Sequence, residues 1–322
     1  MMKKWRRVLS FLLAVCCVLA GAGCAKKPAY SFKIEKNADG YKPENYPYVV
    51  HSESADWYIS KTDLEQMGEQ ALYEGLEEVL ALQEEDFREA REALAGALKD
   101  EIPKVTICTD FGGKAEISQI SAAYYNPRSN FIKLFHSWDK VKASLTHEYV
   151  HYLTFSCAKV GCTPGFWAEG IADKITRIDL KSRLSRSVNM GASAEEVEFF
   201  KEKGAWDDEA DCIDEKVLYF GCAELFHTGL MLDQPYFAVC SETLTRTEKI
   251  QEKPKPEELS YYEAASMVAY LMETYGEDWV YSHWDTDPAK IEEICGKTFL
   301  ELYREWAAWN SGKCAELGIV IE

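Results

Sequence analysis

The chain has 322 residues, of which 47% are hydrophobic and 28% are charged, so it can bury one large core or two modest ones. Its 54 acidic residues outnumber its 36 basic residues and give a formal net charge of −18. This balance argues against a nucleic acid or a polyanionic cell-wall polymer as a tightly bound partner.

The first residues have the pattern of an export signal. A basic start, MMKKWRRVLS, precedes the apolar stretch FLLAVCCVLA, which is too short for a stable membrane span. Small residues then precede Cys24, which resembles the lipobox of bacterial lipoproteins, although Leu or Val is usual where Gly21 stands. We therefore predict a lipoprotein signal peptide over residues 1–23, a lipid on Cys24, and a protein anchored to the outer face of the cytoplasmic membrane. A simple signal peptide and an uncleaved anchor are the alternatives.

The next segments predict a tether followed by a folded domain. Residues 24–55 are polar and punctuated by Pro and Gly, which is typical of a tether, so we expect the folded domain to span residues 56–322. Residues 62–98 have a helical period and predict one long helix or two, with Thr62 and Glu65 as a capping box. Residues 104–111 and 130–135 predict two half-buried strands.

A helix that carries chemistry is predicted next. From Ser137 onward apolar residues recur at three- and four-residue steps, and Ser137 or Asp139 can cap the start. This helix contains the motif His147-Glu148-Tyr149-Val150-His151. The two histidines lie on one helix face, so both imidazoles can reach one ion. A catalytic zinc needs three protein ligands and a water, and Glu148 is placed to act as the base for that water.

A second helix supplies the third ligand. Thr163 followed by Pro164 predicts an N-cap and first helical position, and Glu169 lies on the helix that follows. A turn over residues 161–165 would bring this helix back as an antiparallel neighbour, so Glu169 would complete a His, His, Glu set. Asp173 lies one turn later on the same face and is expected to accept a hydrogen bond from a ligand imidazole.

The sequence HEYVH followed by WAEGIAD resembles the gluzincins, zinc metallopeptidases whose third ligand is a Glu in an x-x-Glu-Gly-x-Ala helix. Within them it is most similar to the peptidase-MA-like bacterial proteins. The resemblance covers residues 104–178 well and residues 260–306 more loosely. It implies an α+β fold, a mainly helical zincin-like domain with a small sheet edging the active-site cleft. The strand before the zinc helix would edge that cleft and pair with extended substrate.

The resemblance also assigns roles to individual residues. It implies that Zn²⁺ is bound by His147, His151 and Glu169, that Glu148 is the general base, and that Asp173 is the carboxylate behind a ligand histidine. The Gly-x-Met-Glu-Asn exopeptidase motif is missing, because the corresponding region reads AEISQISAAYYNP. This departure argues against an aminopeptidase and leaves the mode of cleavage open.

The cysteines outside the leader permit disulfides in an exported chain. We expect a disulfide between Cys157 and Cys162, which flank the short turn between the two predicted zinc helices. Free buried thiols are the alternative, whereas a zinc–cysteine site is disfavoured because the chain has no Cys-x-x-Cys pair. The even set comprises Cys108, Cys157, Cys162, Cys212, Cys222, Cys240, Cys295 and Cys314.

The last third of the chain adds a candidate oxyanion donor. Residues 177–256 are predicted to form a variable helical region over one side of the cleft, and His227 within it is more often a structural group than a catalytic one. Residues 260–322 form the C-terminal helical part, with a capping box of Ser260 and Glu263. The resemblance suggests a tyrosine near the zinc at this helix start, and the spacing Tyr-x-x-Ala-x-Ser favours Tyr261 over Tyr262. Aromatic packing at the helix entry is the alternative.

Together these features predict zinc-dependent hydrolysis of peptide bonds in a peptide or protein substrate at the cell surface. Two alternatives stay open. One is a non-catalytic zincin-like surface lipoprotein that binds peptide or protein, and the other is an amidase that acts on cell-wall stem peptides.

Overall fold

The computed structural model describes residues 30–111, 122–225 and 256–319. The chain forms two compact units, with the boundary after Ser31. All the elements described below belong to the second unit, which begins at Phe32. Six strands form one mixed sheet in the order β1-β2-β3-β4-β6-β5, and two short strands form a separate hairpin. The strands are β1 Ile34–Lys36, β2 Tyr48–His51, β3 Ala55–Ile59, β4 Val105–Thr109, β5 Ala123–Asn126, β6 Phe131–Leu134, β7 Trp206–Asp207 and β8 Cys212–Ile213.

Helices make up most of the remaining described chain. They are α1 Lys61–Met67, α2 Glu69–Ala93, α3 Trp138–Tyr152, α4 Phe166–Asp173, α5 Arg183–Asn189, α6 Ala194–Glu202, α7 Glu215–Leu225, α8 Pro256–Tyr275, α9 Glu277–His283, α10 Ile291–Cys295 and α11 Phe299–Glu316. Single π-helical segments continue α3 as Leu153–Cys157 and α4 as Lys174–Asp179. This mixture of helices with a smaller sheet confirms the α+β class.

The prediction that residues 24–55 form a tether is wrong from β1 onward. Strands β1 and β2 lie within residues 24–55, and both pair antiparallel with their neighbours, β2 with β3 along its whole length. Val50 is fully buried and Val49 nearly so, and because consecutive strand residues point to opposite faces, both faces of β2 are covered here. The polar, Pro-containing residues between the two strands form turns, in which the Asn37 amide donates to the carbonyl oxygens of Tyr41 and Tyr46.

The sheet has a different edge from the one predicted. Strands β4 and β6 confirm the two predicted strands, and they pair in parallel. However, β6 also pairs antiparallel with β5, so β6 is internal and β5 is the edge strand next to the motif helix. The prediction that residues 130–135 form the edge is therefore wrong. Strand β5 was not predicted because its four residues, AYYN, contain one buried aromatic and are too few to show an alternating pattern.

The residues 62–98 form two helices, because Gly68 adopts a φ of 80° between α1 and α2. Thr62 and Glu65 do not form the expected capping box. The N-cap is Ser60, whose hydroxyl accepts the backbone N–H groups of Thr62 and Asp63, so Thr62 already lies inside the helix.

A buried carboxylate joins the helices that support α3. Asp86 on α2 is fully buried and accepts the hydroxyl groups of Thr146 (3.1 Å) and Ser182 (2.7 Å). It also accepts the backbone N–H groups of Arg183 and Leu184 at the start of α5. The Arg183 guanidinium also lies 3.3 Å from Oδ1, so the buried carboxylate has the hydrogen bonds and the opposite charge that a charge in the core requires. The contact fixes α2, α3 and α5 to one another.

The C-terminal helices pack around one apolar cluster. Helix α8 begins at Pro256, so Ser260 and Glu263 lie inside it and do not form the expected capping box; it ends at Tyr275, and Gly276 follows with a φ of 95°. The apolar cluster comprises Ile178, Tyr219, Phe220, Ala265 and Cys314.

In the part of the chain that the structure describes, no helix is long and apolar enough to cross a membrane.

Candidate metal centre

Helix α3 presents both histidines of the motif on one face, as predicted. The imidazole rings of His147 and His151 have centroids 4.6 Å apart and are nearly perpendicular, at 89°. Ser137 is the N-cap, but its side chain makes no capping hydrogen bond. The helix is held by its buried apolar face, with Val141 and Leu145 fully buried.

Helix α4 brings Glu169 to the two imidazoles. It begins at Phe166, after Gly165 with a φ of 86°, so Thr163 and Pro164 precede the helix and the predicted start there is wrong. Glycine tolerates this left-handed backbone, whereas Thr or Pro cannot adopt it.

Three donor atoms converge at this point. One Glu169 carboxylate oxygen lies 3.1 Å from Nε2 of His147 and 3.2 Å from Nε2 of His151. The three donor atoms all lie within 4.8 Å of one another, so the group could hold a metal ion. Two imidazole nitrogens and one carboxylate oxygen are the donor set of a catalytic zinc site that keeps a position open.

Asp173 lies within hydrogen-bond distance of a motif histidine, as predicted. Nδ1 of His147 lies 2.6 Å from Oδ1 of Asp173, and this contact orients the ring so that Nε2 faces Glu169. The second oxygen of Asp173 accepts the hydroxyl of Tyr219 at 2.7 Å. By contrast, Nδ1 of His151 is buried and has no hydrogen-bond partner among the described residues.

Glu148 lies between the metal group and the edge strand. One of its carboxylate oxygens accepts the backbone N–H of Tyr125 on β5 at 2.6 Å, and only 7% of the residue is exposed. Burial raises the pKa of Glu148 above its ordinary value, although the imidazoles of His151 and His147 act in the opposite direction. A carboxylate with a raised pKa is suited to accept a proton and then return it.

The imidazoles and carboxylates of the site shift one another's pKa values. Burial opposes the charged form of His147, but the carboxylates of Asp173 and Glu169 raise its pKa well above the usual value. Burial likewise opposes ionisation of Glu169, but the imidazoles of His151 and His147 hold its pKa below the usual range. Ligands of this kind bind a cation in exchange for protons.

Glycine follows Glu169 for a steric reason. A Cβ built on Gly170 would lie 2.7 Å from Cγ2 of Val268 and 2.8 Å from the carbonyl oxygen of Ala264, both on α8. The crossing of α4 and α8 is therefore so close that only glycine fits, and it places α8 beside the metal group.

Of the two candidate tyrosines on α8, Tyr261 places its ring beside His147. Its ring lies edge-on to His147 with centroids 6.3 Å apart. The ring of Tyr262 instead packs on Tyr219, 4.5 Å away. The remaining predicted site residues, His227 and Cys24, lie outside the described residues.

The expected disulfide is wrong. Cys157 and Cys162 are both free and buried. The turn between α3 and α4 is held by the backbone instead, since the N–H of Lys99 donates to the carbonyl of Cys157 and the N–H of Cys162 donates to the carbonyl of Thr154. The thiol of Cys162 faces the carbonyl oxygen of Thr163, 3.5 Å away. The other cysteines of the described chain, Cys108, Cys212, Cys222, Cys295 and Cys314, are also free.

Three residues of the site were not predicted. Tyr125 contributes a backbone N–H, which no side-chain motif can reveal. Tyr219 and Arg177 belong to the region 177–256, where the charged sequence showed no clear period.

Comparisons of the chain with protein-family models, with curated proteins and with solved structures found no match.

Proposed function

We propose that this protein is a zinc-dependent peptidase with a zincin-like fold. The observation that carries the proposal is the convergence of His147, His151 and Glu169 on one point, with the carboxylate of Glu148 beside them. This combination of a three-ligand group and an adjacent base is what hydrolysis at a metal site requires.

The group fits a catalytic zinc better than a structural one. A structural zinc is closed by four protein ligands, whereas the described residues supply three. Zn²⁺ bound by these three side chains would polarise the scissile carbonyl and lower the pKa of water to roughly 7. His147, fixed through Nδ1 by Asp173, keeps its Nε2 in the orientation that a ligand needs.

The remaining chemistry belongs to the residues of the chain. Glu148 takes a proton from the attacking water and gives it to the leaving nitrogen, which its raised pKa favours. The hydroxyl of Tyr261 is the candidate donor to the oxyanion, because its ring is next to His147. Strand β5 is the sheet edge beside Glu148, and an extended peptide can add to such an edge through backbone hydrogen bonds.

The predicted lipid on Cys24 would place this activity at the outer face of the cytoplasmic membrane. An amidase that acts on cell-wall stem peptides would use the same residues, so the substrate separates the two activities. A surface protein that only binds peptide would not require the buried Glu148, whose desolvation is costly.

The test compares the parent protein with Glu148→Gln on a mixed peptide library analysed by mass spectrometry. We expect the variant to retain zinc and to lose cleavage, because the amide cannot accept the proton. The matched control is Glu198→Gln on the exposed helix α6, which should cleave like the parent. Equal cleavage by Glu148→Gln and the parent would reject the proposed mechanism, and a zinc-loaded parent that cleaves no peptide would favour the binding protein.

A further inference from the structure

Three elements meet behind the candidate metal centre in a ladder of two hydrogen-bonded rungs. The first rung runs from His147 on α3 through Asp173 on α4 to Tyr219 on α7. Its two hydrogen bonds are 2.6 and 2.7 Å long. The hydroxyl of Tyr219 and the Nδ1–H of His147 thus bind opposite oxygens of the same carboxylate.

The second rung lies one helical turn away on every element. Arg177 follows Asp173 by one turn, Glu215 precedes Tyr219 by one turn, and Ala143 precedes His147 by one turn. The Arg177 guanidinium donates to a Glu215 carboxylate oxygen at 2.6 Å and also to the carbonyl oxygen of Ala143. The Arg177 and Glu215 side chains are only 16% and 10% exposed, so this rung is a nearly buried ion pair.

Helix α7 therefore contributes to both rungs from a part of the chain distant in sequence. Buried ion pairs and hydrogen-bonded carboxylates tolerate little displacement, because a lost partner leaves a desolvated charge. The second rung fixes the distance and rotation of α7 relative to α3 and α4. The first rung uses that placement to present one hydroxyl to Asp173.

We propose that Tyr219 is a positioning residue of the metal centre, which holds Asp173 so that His147 keeps its Nε2 toward the metal. This inference rests on the proposed metal site. A carboxylate held by both oxygens cannot rotate about its side-chain bonds, whereas one held only by His147 can. Partners behind a metal ligand fix the orientation and tautomer of the imidazole, and their loss weakens metal binding by roughly 10–100-fold.

The packing of Tyr219 can be separated from its hydroxyl. Its ring contacts Tyr262 and lies in the apolar cluster, and these contacts need only the ring. Tyr219→Phe therefore removes the hydrogen bond to Asp173 and keeps the aromatic packing. A matched control is Tyr270→Phe on α8, which also removes a phenol–carboxylate hydrogen bond, the one that Tyr270 donates to Glu305 at 2.8 Å.

The experiment measures the zinc dissociation constant of the full chain by competition with a chelating indicator. We expect Tyr219→Phe to weaken zinc binding by roughly 10–100-fold and Tyr270→Phe to leave it unchanged. In the Asp173→Ala background, Tyr219→Phe should add no further loss, because its hydroxyl acts only through that carboxylate. A hydroxyl with a merely structural role would lower the unfolding temperature of the chelated protein without this coupling.

Parental zinc affinity in Tyr219→Phe, or losses that add in the double variant, would overturn the inference. A parent protein that binds no zinc would overturn it together with the proposed function. A parent that binds zinc but hydrolyses no peptide would overturn only the proposed function, since the affinities of the variants still decide the role of Tyr219.

Discussion

Gly170 on α4 crosses Ala264 on α8 so closely that a Cβ on the glycine would lie 2.8 Å from the Ala264 carbonyl oxygen. Because Gly170 directly follows Glu169, the proposed third ligand, the distance between the two helices and the position of Glu169 are set by the same contact.

We expect Gly170→Ala to lower the free energy of unfolding by about 1–3 kcal/mol, as overpacking of a tight contact does. The separation of the helices should also displace Glu169 and weaken metal binding. Chemical denaturation and a zinc titration measure the two effects. Gly312→Ala is the control, because the space around Gly312 on α11 is open within 4 Å, and the change should stabilise the helix by roughly 0.5–1 kcal/mol. Two variants of equal stability would contradict the steric argument.

Asp173→Ala should leave all three ligands in place but loosen His147. We expect a loss of about 10–100-fold in zinc affinity or in kcat/KM, because the hydrogen bond at 2.6 Å that orients His147 is removed. Isothermal titration and steady-state kinetics are the measurements. Asp208→Ala is a suitable comparison, since Asp208 is exposed and pairs with Lys201 near the β7–β8 hairpin. Parental zinc retention and kinetics in Asp173→Ala would show that the carboxylate does not support the ligand.

Removal of one ligand should abolish the stabilisation that the metal provides. At a free zinc concentration of about 100 times the dissociation constant, binding to the folded state alone adds about 2.7 kcal/mol to the free energy of unfolding. We expect this gain in the parent protein, its loss on chelation, and no gain in His151→Ala. Thermal unfolding with and without zinc gives the result, with His283→Ala as the control because His283 stacks on Trp279. An equal gain in His151→Ala would place the metal elsewhere.

Zinc binding should weaken as the pH falls. In the metal-free protein, burial opposes protonation of His147, but Asp173 and Glu169 raise the pKa of His147 well above its usual value of about 6.5. Below that raised pKa a proton must leave before the ligand can bind, so affinity should fall by roughly tenfold per pH unit for one displaced proton, and should level off above it. Calorimetry in buffers of different ionisation enthalpy counts the protons released. A dissociation constant that is independent of pH would contradict this linkage.

The sequence was informative where local pattern decides the structure. The α3 helix and the spacing of His147 and His151 follow from a helical period without Pro or Gly, and strands β4 and β6 follow from alternation. The place of Glu169 and Asp173 was predictable because both lie on one face of the next helix. Helix starts were less predictable, since a glycine with a positive φ, Gly165, displaced the predicted cap.

Contacts between distant segments could not be predicted. Tyr219 pairs with Asp173 across two intervening helices and a hairpin, and nothing in the local sequence of α7 distinguishes that tyrosine from its neighbours. The predicted pairing of Cys157 with Cys162 relied on proximity along the chain, but both thiols are free and buried, and backbone hydrogen bonds hold the turn. Strands β1 and β2 were missed because each has only three or four residues and polar turns separate them.

The pairing of β1 with β2, and of β2 with β3, has a practical consequence for anyone who shortens this protein. A chain that starts at residue 56, where the sequence suggested the domain begins, would lose β2, one of the two partners of β3, and with it Val50, the residue paired with the fully buried Trp57. It would then present an unpaired strand edge with aromatic and aliphatic side chains, which is a template for aggregation. Soluble expression therefore depends on a start upstream of Ile34.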